Sequence, residues 1–141
     1  MGEMAVRVED RSETKLEVLN ATRDMAAHVM KMAGQETLIP KRHRWFLGKE
    51  IVDDAVNIYK LCVMANNTYV DSRESAIRRI TYYKLAYENC AGLLSVLQVG
   101  ELAIDSLHGH RTEVIVRMIC RCEAEIAKTI NREKNRYFNG K

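Results

Sequence analysis

The chain has 141 residues, which suits one domain with one core. Apolar residues make up 47% and charged residues 29%, ordinary globular proportions that exclude a disordered or collagen-like chain. Net charge is +3 and the pI is near 8.7, a mild basic excess that carries meaning only where the cations cluster.

Pro40 is the only proline and there are 7 glycines, so long helices are expected. Met1 to Thr14 is polar and charged and lacks the apolar run of a signal peptide. No stretch is apolar enough over sufficient length to span a bilayer. A soluble, cytoplasmic protein with reduced thiols is the expectation. Cys62, Cys90 and Cys122 fall at apolar positions and read as core thiols, with Cys120 the fourth cysteine.

The expected organisation is a flexible segment 1–14, a helical bundle 15–136 and a tail 137–141. The first helix spans about Lys15 to Ala33, with Val18, Met25, Val29 and Met32 at helical spacing beside Leu19 and Ala26, and Gly34 ends it. Gln35 to Pro40 is a loop, and Pro40 holds Ile39 extended. A second helix runs from Lys41 or Arg44 to Asn66. Ile51, Ala55, Ile58, Cys62 and Ala65 form a heptad seam, widened by Val52, Tyr59 and Val63.

After a turn, Asp71 is the expected cap of a third helix, with Glu74 reaching back to it. Ala76, Ile80, Tyr83, Tyr87, Cys90, Leu94 and Leu97 are the expected seam of that helix, and Tyr82 lies off it. Gly100 and Gly109 bracket one or two helical turns at Glu101 to Leu107. A fourth helix from about Arg111 to Asn135 turns Ile115, Ile119, Cys122, Ile126 and Thr129 or Ile130 to the core. Strand signals are weak throughout. The fold class is therefore all-α, an antiparallel up-down four-helix bundle.

Two basic clusters are the candidate binding residues. Lys41, Arg42, His43 and Arg44 follow the proline and precede Trp45 and Phe46. Cations neutralise phosphates and rings stack on bases, whereas the helix dipole disfavours cations at an N-terminus. A solvated helix start with the rings tucked into the bundle end is the competing reading. On the fourth helix, Arg117, Arg121, Lys128, Arg132 and Arg136 fall within an arc of roughly 100° at 100° per residue. That stripe is about 28 Å long, borders the core face, and is interrupted by Glu125. It suits a phosphate backbone, or else is a solvated face paired with neighbouring acids.

Metal and catalytic chemistry find no convergent residues. Cys120 and Cys122 point about 200° apart on a helix and cannot share one tetrahedral ion, and His108 and His110 sit in a loop. Asp53 and Asp54 are adjacent and face different ways, and His28 and His43 lack a partner. There is no Gly-rich phosphate loop and no GxSxG. No metal, no cofactor and no enzymatic activity are expected.

The segment Ile39-Pro40-Lys41-Arg42-His43-Arg44-Trp45-Phe46-Leu47-Gly48, leading to Ala65-Asn66, resembles a family of four-helix-bundle proteins. The family includes the ribosomal-RNA intervening-sequence proteins and the accessory variability determinants of diversity-generating retroelements. The resemblance covers roughly Lys15 to Lys134. Intervening-sequence proteins carry Gly-Ser and glutamates late in the third helix, where this chain reads Glu88-Asn89-Cys90-Ala91-Gly92-Leu93-Leu94. The resemblance therefore leans to the retroelement proteins, although the Gln98 to His110 connection departs from the family pattern.

The resemblance implies a non-catalytic subunit that assembles as a basic homopentamer. Its implied partners are RNA, with DNA as a second nucleic acid, and an error-prone reverse transcriptase whose mutagenic cDNA synthesis it supports. It implies basic character at Lys41, Arg42 and Arg44, whereas the fourth-helix stripe rests on periodicity alone. The alternative is a stand-alone intervening-sequence-type bundle acting as a structural or protein-interaction module.

Overall fold

A computed structural model describes the backbone of residues 2–107 and 109–138, and the side chains of 17–107 and 109–138. These residues are all-helical, with four long helices and no strands. In chain order they are α1 (Gly2–Ala33), a short α2 (Lys41–His43), α3 (Lys49–Asn67), α4 (Arg73–Ala103) and α5 (His110–Tyr137). A π-helical turn, Arg44–Gly48, joins α2 to α3. No helix among the described residues is long and apolar enough to cross a membrane.

Helix α1 starts at Gly2 rather than near Lys15. Residues 3–13 are rich in helix formers, and Glu3 and Arg7 stand at the favourable i,i+4 spacing, so local propensity extends the helix. At its other end Gly34 donates to the Met30 carbonyl at 3.2 Å.

The long helices pack as a ring: α1 on α3, α3 on α4, α4 on α5 and α5 back on α1. The remaining diagonal pairs barely touch, so α3 and α5 stand at opposite corners. One core fills the middle. Met25 and Val29 of α1, Ile51, Ala55, Ile58 and Cys62 of α3, and Ile119, Cys122 and Ile126 of α5 are fully enclosed in it. These are the positions the periodicity selects.

On α4 two positions differ. Tyr87 is 42% exposed and Leu94 only half-buried, while their neighbours Ala86 and Leu93 are fully buried. Apolar residues adjoin at both places, so spacing alone does not choose between them. Packing selects Ala86, whose small side chain suits a close helix approach, and leaves Tyr87 at the surface.

The α4 cap is also one residue later than expected. Ser72, not Asp71, is the N-cap: its Oγ accepts from the Ser75 amide at 3.1 Å, and Ser75 Oγ accepts from the Ser72 amide at 3.0 Å. This Ser-Ser box satisfies two amides that would otherwise lack partners. Gln98 to Ala103 continue α4, so the expected separate turns belong partly to that helix.

Gly100 permits the close approach here. A Cβ at this position would stand 2.7 Å from Leu107 Cδ2 and 3.2 Å from Leu47 Cδ2. Gly109, at φ 89°, is the single described residue in the left-handed region, and it turns the chain into α5.

A candidate nucleic-acid interface

The α5 stripe is set by the core. Ile115, Ile119, Cys122, Ile126 and Ile130 are buried, which fixes the rotation of α5 about its axis. Arg117, Arg121, Lys128, Arg132 and Arg136 are all exposed as a result. Arg117 Nη2 lies 3.8 Å from Glu113 and Lys128 Nζ 3.6 Å from Glu125, surface pairs within the same helix. Such pairs contribute little and exchange readily for a phosphate. Arg121 and Arg132 form no ion pair among the described residues.

At the opposite corner of the ring, α3 carries three acids and two lysines, Lys49 and Lys60. On α3, Glu50 and Asp53 are exposed and Asp54 is half-buried beside them. Partial burial first, then the Glu50 and Asp53 charges, push the Asp54 carboxyl above its ordinary value. Lys49 is held to Asp53 at 2.7 Å. Lys60 is exposed on the same helix, so α3 is close to neutral while α5 carries an excess of cations.

The α2 cluster divides in use. Lys41 and Arg42 are exposed, and Arg42 Nε donates to His43 Nε2 at 3.2 Å. Arg44 is half-buried, and its Nη2 donates to the Gly34 carbonyl at 2.9 Å. It thereby closes the C-terminal end of α1, and its side chain is committed to the fold. The π turn that follows turns Trp45 and Phe46 outward, 84% and 65% exposed, and Leu47 inward toward the core. The rings are not tucked into the bundle end.

Arg111 at the start of α5 donates to Gln35 Oε1 and, at 3.4 Å, to Thr37 Oγ1. This ties the start of α5 to the loop before α2, so Lys41 and Arg42 sit at the end of the bundle where α5 begins. From there the stripe runs to Arg136 at the opposite end.

That opposite end holds features the sequence reading missed. Arg79 of α4 and Glu133 of α5 are buried at 5% exposure each, with Nε 3.1 Å from Oε1. Beside them the connection between α3 and α4 walls a polar pocket of about 400 Å³, lined by Asn66, Thr68, Tyr69, Arg79, Arg136 and Tyr137 among others. The only sequence signal was position: Arg79 and Glu133 occupy core steps of their helices. Burial pushes the nearby Tyr83 phenol up to about 12, against the opposing charge of Arg79.

Cys62, Cys90 and Cys122 are buried thiols and Cys120 is exposed, the opposed orientation that their spacing on α5 requires. Among the described residues no group of His, Cys, Asp and Glu gathers in a metal-holding arrangement. His108 lies outside the described residues. Comparison of the chain with protein-family models, with characterised proteins and with solved structures returns no match.

Proposed function

We propose that the chain is a non-catalytic accessory protein of a diversity-generating retroelement. In this reading it binds template RNA, and the cDNA made from it, along α5, and it accompanies the error-prone reverse transcriptase. The observation that carries the reading is the joint exposure of Arg117, Arg121, Lys128, Arg132 and Arg136 along one side of α5, with Glu125 the one acid among them. Spaced cations of this kind neutralise successive phosphates and release their counterions.

The fold we infer is an antiparallel up-down bundle. Its support is that helices adjacent in the chain are packing neighbours, with only a short connection between Asn67 and Arg73. The exposed Trp45 and Phe46, with Val99 and Leu102 exposed near the end of α4, favour a protein contact at the α2 end. That contact suits the polymerase, or a second subunit of the pentamer that the family resemblance implies. The same apolar residues also favour the alternative, a stand-alone protein-interaction bundle in the cytoplasm.

The test is binding of the purified chain to labelled RNA, with its mass in solution measured in the same samples. The proposal expects an RNA complex formed by a pentamer-sized species. A monomer that binds no RNA at low salt contradicts it and leaves the protein-interaction module.

A further inference from the structure

We propose that the polar pocket between the α3–α4 connection and the end of α5 holds one nucleotide of a single strand, its base inside and its phosphate on Arg136. The proposal deepens the nucleic-acid reading above and rests on it for the strand, though not for the pocket's own chemistry.

Where the pocket meets the α4–α5 contact, its lining includes a buried charge. Arg79 is about nineteen-twentieths buried, as its 5% exposure requires, and its Nη2 has no hydrogen-bond partner among the described residues. Its Nε faces Glu133 in a geometry short of a hydrogen bond. Asn66 Oδ1 is likewise buried and unpartnered among the described residues. Tyr83 Oη and Glu133 Oε1 are buried beside Arg79, so these groups face one another behind the pocket. The pocket lining itself sets donors and acceptors side by side, from the Asn66 and Asn67 amides, the Thr68 hydroxyl and the Arg79 and Arg136 guanidinium groups. The edge of every nucleobase offers acceptors and donors side by side, which a bare phosphate does not.

The walls and rim fit the rest of a nucleotide. Tyr69, 81% exposed, and Tyr137 both line the pocket, so rings are available to stack on a base. Arg136 lies 5.2 Å from the centre of the Tyr137 ring, which holds its guanidinium at the rim. The volume of about 400 Å³ falls within the range of small-molecule sites. Arg136 is also the last cation of the α5 stripe. A strand whose phosphates follow that stripe therefore ends at this mouth, and a duplex cannot insert a base there without unpairing it.

The experiment uses the isotope-labelled full chain and three probes: the four ribonucleoside 5′-monophosphates, a short mixed-sequence single-stranded RNA, and the same sequence as a duplex. The single strand is expected to shift the backbone amides of Asn66, Asn67, Tyr69 and Arg136. In the variant carrying Asn66→Leu and Tyr69→Ala, single-strand affinity is expected to fall about ten-fold, the scale of one stacked base, with duplex affinity unchanged. Both substituted positions lie outside the closed core, and retained helix content checks the fold.

Mononucleotides that shift the same amides show that the pocket takes a free nucleotide, and shifts with the strand alone show that the chain must present the base. Each supports the pocket. If mononucleotides shift these amides while RNA of either form leaves α5 unaffected, the pocket stands and the retroelement reading falls. If neither probe moves these amides, or the double variant binds single strands like the parent, the pocket proposal is overturned.

Discussion

Arg79 Nε lies 3.1 Å from Glu133 Oε1 where α4 meets α5, with both side chains 5% exposed. Removing one partner leaves an uncompensated charge in the interior. Glu133→Gln alone, or Arg79→Met alone, is therefore expected to destabilise the chain by roughly 3–5 kcal/mol. Arg79→Met combined with Glu133→Leu is expected to recover most of that loss, because the pair's mutual attraction only offsets its desolvation. Denaturant unfolding of the two single variants and the double variant measures this. Additive losses would show that the two charges do not compensate each other.

The register of α4 is tested by two adjacent leucines. Leu93 is fully buried and Leu94 half-buried. Leu93→Ala is expected to lower stability by about 2–5 kcal/mol, and Leu94→Ala by clearly less. Equal losses, or the reverse order, would restore the seam that spacing alone suggests.

Gly92 lies inside α4, exposed, and a Cβ there meets nothing within 4 Å. It weakens the helix without serving a close approach. Gly92→Ala is expected to raise unfolding stability by about 0.5–1 kcal/mol. A loss would mean that this surface contacts something in solution.

The cysteines give a pH prediction. Burial pushes the Cys62 and Cys122 thiols up to about 12, from an ordinary value of 9.0, and raises Cys90 as well. The unfolded chain therefore releases these protons first. Stabilisation from keeping the thiols neutral is full below about pH 9 and is lost as pH rises toward 12, at up to about 1.4 kcal/mol per pH unit for each thiol. Unfolding midpoints across the alkaline range read this loss. At neutral pH a thiol reagent is expected to modify Cys120 quickly and the other three only on unfolding.

Much of this architecture is legible in the residues. Ile51, Ala55, Ile58, Cys62 and Ala65 are each buried, as the heptad spacing of α3 requires, with Val52, Tyr59 and Val63 only half-buried beside them. On α4 the spacing takes Tyr87 and Leu94 where Ala86 and Leu93 are buried, and at the cap it takes Asp71 where Ser72 serves. Three-dimensional packing decides those cases.

The exposed cations of α5 follow from helical periodicity, since burying Ile119 and Ile126 fixes where Arg121 and Lys128 point. Arg44 is different. Its bond to Gly34 joins residues ten apart across a loop, which no local pattern encodes. The Arg79–Glu133 pair and the pocket beside it depend on the meeting of α4 and α5, so composition reads both charges as surface.

The most direct test of the account is the salt dependence of single-stranded RNA binding, compared between the parent chain and a variant with Arg117, Arg121, Lys128 and Arg132 each replaced by glutamine. The account predicts that parent affinity falls steeply as salt rises, and that the variant binds weakly with a flattened slope while keeping its fold. A variant that matches the parent in affinity and in slope would contradict the account, and the α5 stripe would be solvated surface.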